Sequence, residues 1–227
     1  MTVNMIIAFI LVNFFYNLQV NAHGKLVDPV SRSSAWRKLS GAPKNYNDNQ
    51  LFCGGMGTLY QQNKGNCGPC GDNWSQRQPR DNENGGKYGL GVIVRRYCPG
   101  KRINITVDLS ANHLGYFEFS LCPLNSTRDI ETEECFAAHP IYLADGNLRY
   151  KVKKGMNGNI IIQANLPKDF VCPHCVFRWH YYGGNNWGMC QDGTGRLGCG
   201  IQEVFRGCAD VSILRIAPKS ANHPSRL

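Results

Sequence analysis

Two stretches of the chain alternate apolar and polar residues with a period of two, the pattern of a strand that buries one face. In 102–109 the residues Ile103, Ile105, Val107 and Leu109 share a side, and in 116–121 Phe117, Phe119 and Leu121 do. Runs rich in β-branched and aromatic residues at 92–97, 159–164, 176–182 and 209–216 add further strands. Pro99-Gly100, Asp145-Gly146, Asn157-Gly158 and Gly183-Gly184 punctuate them as turns. Helix is scarce, with short helical turns expected only at 33–38 and Glu133–Ala138. Many short strands joined by long loops predict a mainly β fold, an antiparallel sandwich of the immunoglobulin-like or fibronectin-like kind. The stretch 39–86 interrupts this pattern. It is rich in Gly, Asn, Gln and Pro, lacks a period and contains Cys53, Cys67 and Cys70, so it reads as a stapled excursion that forms a surface. No repeat or linker divides 23–217, which predicts a single domain followed by a short polar tail, 218–227.

The start of the chain sets the compartment. Residues 1–22 carry no Lys, Arg, Asp or Glu, have an apolar centre at 5–12, and end in Val20-Asn21-Ala22. These features predict a secretory signal peptide cleaved after Ala22. Asn13 and Asn17 break the run, which is too short to span a bilayer, and nothing later approaches a span. The expectation is a secreted protein with no membrane attachment after cleavage. Of the 227 residues 42% are hydrophobic and 18% charged, which excludes disorder for the bulk. The 11 cysteines exclude a reduced cytosolic enzyme unless they hold metal. In an oxidising compartment Cys67-Gly-Pro-Cys70 and Cys172-Pro-His-Cys175 read as disulfide cysteines rather than zinc knuckles or redox pairs. The odd count predicts five bridges and one leftover thiol, with the connectivity open. Sequons at Asn73, Asn104 and Asn125 are compatible with a glycoprotein. The net charge of +9 comes from scattered Lys and Arg with no nucleic-acid motif, so nucleic acid is not an expected partner.

Cleavage after Ala22 makes His23 the first residue. An N-terminal histidine offers its α-amino group, with an ordinary pKa near 8, and a ring nitrogen to one ion. A further imidazole would complete an all-nitrogen set, which among first-row ions favours copper. His113, in the connection between the two cleanest strands, is the candidate, because strand-connecting loops face solvent and carry sites. His139, His174, His180 and His223 are read as structural or surface residues. The segment Tyr182-Gly-Gly-Asn-Asn-Trp-Gly188 reads either as a sugar-contacting surface or as a loop anchored by a core Trp.

Several segments carry a resemblance. They include His23-Gly-Lys-Leu-Val-Asp-Pro-Val-Ser-Arg-Ser-Ser-Ala-Trp36, Asn49-Gln-Leu-Phe-Cys-Gly-Gly55, Cys67-Gly-Pro-Cys-Gly-Asp72, Ala111-Asn-His-Leu-Gly-Tyr-Phe-Glu-Phe119 and Cys199-Gly-Ile-Gln-Glu-Val-Phe-Arg-Gly-Cys-Ala-Asp210. With Gly85-Gly-Lys-Tyr88 and Asp192-Gly-Thr-Gly195 they run over essentially the whole mature chain. The chain resembles lytic polysaccharide monooxygenases of auxiliary-activity family 15, also described as chitin-binding type-4-like domains and found largely in invertebrates. The resemblance implies one copper ion held by His23 and His113. It also implies an axial aromatic at Phe205, which cannot ligate, and a small residue, Ala111, near the open face of the metal. Gln202 or Glu203 would supply a hydrogen bond toward the oxygen cosubstrate, and which of them points inward stays open. The implied activity is oxidative cleavage of glycosidic bonds in crystalline chitin, favoured over cellulose, with an external electron donor and O2 or H2O2, by a monomer. A non-catalytic polysaccharide-binding module on the same scaffold is the alternative. Cys98 is the expected leftover cysteine, because the family usually enters that turn without one.

Overall fold

The computed structural model describes residues 23–215. The predicted signal segment and the polar tail lie outside the described residues. Eleven strands are formed: β1 (His23–Asp28), β2 (Arg95–Tyr97), β3 (Arg102–Ala111), β4 (Tyr116–Pro123), β5 (Pro140–Leu143), β6 (Tyr150–Lys151), β7 (Gly158–Asn165), β8 (Cys172–Tyr182), β9 (Trp187–Met189), β10 (Gly195–Leu197) and β11 (Val204–Ile213). They hydrogen-bond in the order β1-β3-β7-β5-β4-β8-β11-β2, with β6 on β4 and β9–β10 as a separate hairpin. β5 pairs with both β7 and β4, so it joins the two layers along one edge. The predicted alternation is what fills the space between them. Ile103, Ile105, Val107 and Leu109 from β3 meet Phe117, Phe119 and Leu121 from β4 and Phe177, Trp179 and Tyr181 from β8 in one core.

The short helix Glu133–Ala138 forms as expected. The Thr132 side chain accepts from the Cys135 N–H at 3.2 Å, and Glu133 and Glu134 in the first turn complement the helix dipole. The other predicted turn is a single 3-10 segment, Arg32–Arg37.

Two expectations change. The run 92–97 forms a ladder only over β2, which lies parallel to β11, in the pairing Val211 with Arg95 through Ile213 with Tyr97. The expected start, 92–94, lies ahead of the ladder, although the Val94 N–H still donates to the Asp210 carbonyl at 2.9 Å. β11 begins at Val204, well before the predicted 209, because it does not alternate: all ten of its residues are buried. Phe205, Ala209, Val211 and Ile213 face the core, whereas Arg206 and Cys208 face the excursion 39–86 and Asp210 meets Arg32 and His174. A strand covered on both sides loses the period by which a sequence reveals it.

The excursion is stapled to the sandwich. Cys53–Cys67 closes its interior and Cys70–Cys208 ties it to β11, while Cys122–Cys135, Cys172–Cys175 and Cys190–Cys199 complete the set. Cys70–Cys208 encloses a sequence separation of 138, a loop whose closure stabilises by about 5 kcal/mol on chain-entropy grounds. Cys98 is the free cysteine among the described residues.

Candidate functional site

The β3–β4 turn places His113. β3 and β4 are not hydrogen-bonded neighbours, and in the connection between them Leu114 and Gly115 both have positive φ, 54° and 76°, a left-handed backbone that glycine adopts without strain. Gly115 is demanded twice, because a Cβ there would lie 1.9 Å from the Tyr182 carbonyl oxygen. The Asn112 side chain fixes the corner, accepting from the Leu114 N–H at 2.7 Å and donating to the Lys153 and Met156 carbonyls. The His113 backbone is held at both ends: its N–H donates to the Tyr181 hydroxyl at 2.8 Å and its carbonyl accepts from the Gly184 N–H at 2.6 Å. Burial pushes the Tyr181 phenol up, so it stays neutral in that role.

His113 was expected to face solvent and instead is buried, 2% exposed. The turn folds back under the β8–β9 connection, with Gly183 near its Cβ and the Phe205 ring edge-on at 6.3 Å. A Glu203 carboxylate oxygen lies 2.7 Å from Nδ1, but off the direction of an N–H bond. Nε2 is buried with no hydrogen-bond partner, and Nδ1 has only this misaligned carboxylate. Each such group costs about 1–3 kcal/mol unless something satisfies it.

His23 opens β1 and pairs with Ala111 of β3, two residues before His113. Its carbonyl accepts from the Ser110 hydroxyl at 3.0 Å, and its Nε2 lies 2.5 Å from the Gln50 side-chain nitrogen. The N-terminal strand thus carries His23 to the edge of the turn that holds His113. Phe205 is 1% exposed, stacked on Phe52 at 6.1 Å and offering no donor atom. Of the two outer candidates, Glu203 faces His113. The Gln202 amide is taken up elsewhere: its Oε1 accepts from the Asn186 N–H, and its Nε2 donates to the Asn186 and Cys199 carbonyls. Ala111 is half-buried beside His23.

The unpartnered His113 Nε2, on the loop that follows Ala111, the strand partner of His23, fits a first-row metal that prefers nitrogen ligands. The described residues contain a different set of close donor atoms, Cys70, Cys208 and Glu131, but its sulfurs are joined to each other and are not free to ligate. His174 and His180 take structural places. His174 Nε2 donates to Asp210 at 2.7 Å, and His180 is buried against Arg206 and stacked on Tyr182. Trp187 is 66% exposed, which makes 182–188 a surface loop rather than one anchored by a core Trp.

Gln50, Tyr181 and Asn112 were missed as site residues. Gln50 lay inside a quoted motif, but its side chain acts across the fold and has no local signature.

Comparison with known proteins agrees with this geometry. A family model described as "Lytic polysaccharide mono-oxygenase, cellulose-degrading" matches residues 23–211. Curated protein sequences give no match. Among solved structures, a lytic polysaccharide monooxygenase AA15 from Thermobia domestica in the Cu(I) state is similar, at 42% sequence identity and a TM-score of 0.82. The similarity covers 84% of this chain and 98% of that one. A match that begins at His23 and runs through β11, together with that structural likeness, establishes that the chain belongs to the lytic polysaccharide monooxygenases, copper-dependent enzymes that act on insoluble polysaccharide.

Proposed function

We propose that the protein is secreted, processed after Ala22, and acts as a monomer on crystalline chitin in preference to cellulose, with copper held by His23 and His113. The observation that carries the site assignment is the buried His113 ring, its Nε2 without a partner, two residues beyond the strand partner of the residue that processing would make N-terminal. The chitin preference rests on the resemblance to invertebrate members. Secretion rests on the predicted leader and on the dense disulfides, and among the described residues no helix is long and apolar enough to cross a membrane.

Copper would supply the redox chemistry that, with an external electron donor and O2 or H2O2, hydroxylates a glycosidic carbon so that the chain breaks. The residues around it have separate tasks. His23 would contribute its freed α-amino group and a ring nitrogen, and His113 another nitrogen. The Glu203 carboxylate, 2.7 Å from His113 Nδ1, favours a proton on that nitrogen and so leaves the Nε2 lone pair for the metal. It is also the acid–base group closest to the site, placed to hold or pass a proton during turnover. Phe205 closes one side of the ring with hydrocarbon, and the methyl side chain of Ala111 keeps the approach beside His23 open. Gln202 ties the loop that bears Trp187 to the strand that bears Glu203 and Phe205.

The test compares protein beginning at His23 with the same protein carrying one extra N-terminal residue. Each is incubated with copper, a reductant and either chitin or cellulose, and oxidised oligosaccharides are read by mass spectrometry. The extra residue turns the amine into an amide, so the extended protein should fold and adsorb but release no oxidised sugars. A binding module on this scaffold would release none in either form. Full activity of the extended protein would overturn the assignment of His23, and products from cellulose alone would overturn the chitin preference.

A further inference from the structure

Gln50 sits in the stapled excursion, far from His23 in sequence, yet its position is fixed from several sides. The Asn49 carbonyl accepts from Gly24 of β1 and the Leu51 carbonyl accepts from Arg206 of β11, both at 3.0 Å. The Gln50 N–H donates to the Asn47 carbonyl, its own carbonyl accepts from the Phe52 N–H, and the adjoining Cys53 is bonded to Cys67. Phe52 stacks on Phe205. This segment therefore bridges the strand that begins with His23 and the strand that carries Phe205, and Gln50 is the side chain it aims at the His23 ring.

The contact is between two nitrogens, Gln50 Nε2 and His23 Nε2, at 2.5 Å. An amide nitrogen only donates, so the ring nitrogen must accept, and the neutral ring then carries its proton on Nδ1. Nδ1 is the ring atom that can close a chelate with the same residue's backbone nitrogen, since Nε2 is engaged by Gln50. To ligate, Nδ1 must lose its proton, and a neutral ring would then bear it on Nε2. Nε2 becomes a donor and needs an acceptor. A carboxamide provides one by turning over about its last side-chain torsion, a soft two-fold rotation that brings Oε1 where Nε2 had been.

We infer that Gln50 is the positioning residue of His23: its carboxamide holds the metal-free ring through Nε2, leaves Nδ1 for the ion, and reverses its donor and acceptor ends when the ion binds. The inference rests on the copper assignment proposed above. Glutamine serves both states because it is donor at one end and acceptor at the other. Glutamate would serve only the loaded state, and leucine neither.

The experiment uses the processed protein and its Gln50→Glu and Gln50→Leu variants, with two readouts. Histidine 15N NMR of the metal-free proteins reports which His23 nitrogen is protonated. Calorimetric Cu(II) titration at pH 8, with the electron paramagnetic resonance spectrum of the loaded protein, reports the site. The wild type should carry the Nδ1 proton before loading, and Q50E should shift it to Nε2. Loss of an outer hydrogen bond to a ligating imidazole weakens metal binding about 10–100-fold, so Q50L should bind copper about 10-fold or more weaker with altered nitrogen coupling, and Q50E about 10-fold tighter. All three should unfold at the same temperature. Identical His23 protonation and equal copper affinity in the three proteins would overturn the inference while leaving the copper site standing. Shifted protonation with no copper bound by any of them would leave the Gln50–His23 hold standing and overturn the copper assignment instead.

Discussion

Two histidine–carboxylate pairs, His113–Glu203 and His174–Asp210, have the same 2.7 Å nitrogen-to-oxygen separation and lie toward opposite ends of β8. Their surroundings differ. Around His174 the charges close on one another: Asp210 accepts Arg32 Nε at 2.9 Å, Arg32 Nη2 at 2.6 Å and His174 Nε2 at 2.7 Å. Arg32 also donates to Glu131 and, at 2.8 Å, to the Asn82 carbonyl, and the other Glu131 oxygen accepts from the Asn84 N–H. Burial alone would push the Asp210 carboxyl up, but Arg32 and His174 outweigh it and hold it below the usual carboxylate range. Glu131, further from balance, is pushed up by its burial. Around His113 the network does not close: Nε2 has no partner although the residue is buried, and Nδ1 meets Glu203 alone. The same pair of residue types is a completed network at one end and an unsaturated site at the other. The unsatisfied end is the one that gains from an incoming ligand.

The sharpest way to break this comparison is to remove each histidine's end in turn. His113→Ala takes away an unsatisfied buried nitrogen and leaves a small cavity, so stability should stay within about 1 kcal/mol of the wild type. Copper affinity should collapse. A metal-binding free energy of roughly 12 kcal/mol shared among three nitrogens is about 4 kcal/mol each, or on the order of 10³-fold in the dissociation constant. Copper titration beside a thermal melt checks both halves. A variant that lost stability and kept its copper would reverse the roles assigned here.

Asp210→Asn is the complementary change. It leaves Arg32 buried with half its countercharge, and breaking a buried pair on one side costs about 3–5 kcal/mol. Copper affinity of the folded protein should not move, because the network does not touch His23 or His113. The same group predicts a pH dependence. Asp210 has a folded value below its unfolded one, so its contribution is fully present above about pH 4, the unfolded carboxylate value, and is lost as pH falls through the depressed folded value. Denaturant melts across pH 2–5 should show the wild type losing stability over that window more steeply than Asp210→Asn. Parallel curves would place the acid sensitivity elsewhere.

What the sequence made legible follows from where burial is one-sided. β3 and the first half of β4 have one face in the core and one outside, so Ile103, Val107 and Phe119 announced them, and the connection between them delivered His113. β11 was half missed because the excursion covers Arg206 and Cys208 on its second face and Arg32 and His174 cover Asp210. The stapled excursion could be read as ordered from its cysteines, but not its use. That Gln50 reaches His23 depends on straps from Gly24 and Arg206 to the Asn49 and Leu51 carbonyls, which are backbone contacts and leave no trace in residue type. Burial of His113 went unforeseen for the same reason: its backbone carbonyl, taken by Gly184, draws the loop inward. The choice between Gln202 and Glu203 was not open to pattern, since both lie just ahead of β11, outside any ladder.

The smallest expected effect concerns the surface beyond the His113 end. The β9–β10 hairpin, closed by Cys190–Cys199, carries Trp187 at 66%, Met189 at 58% and Leu197 at 63% exposure. Gly195 lies beneath the indole, where a Cβ would come within 2.3 Å of the ring, so the absent side chain lets the Trp187 ring lie flat on the hairpin. Its outer face is left free, as stacking on a sugar ring requires. An aromatic contact of this kind contributes about 0.5–1.5 kcal/mol, so Trp187→Ala should weaken adsorption to chitin by roughly 2–12-fold. Copper affinity and melting temperature should remain those of the wild type, because the ring is outside both the core and the His23–His113 site. Gly195→Ala should weaken adsorption in the same direction by tilting the indole, with the Trp still present. Depletion of the protein from solution by a chitin suspension measures both. If Trp187→Ala adsorbed as well as the wild type, the flat ring would have no part in holding the polymer, and the substrate surface would have to be sought on the other side of Ala111.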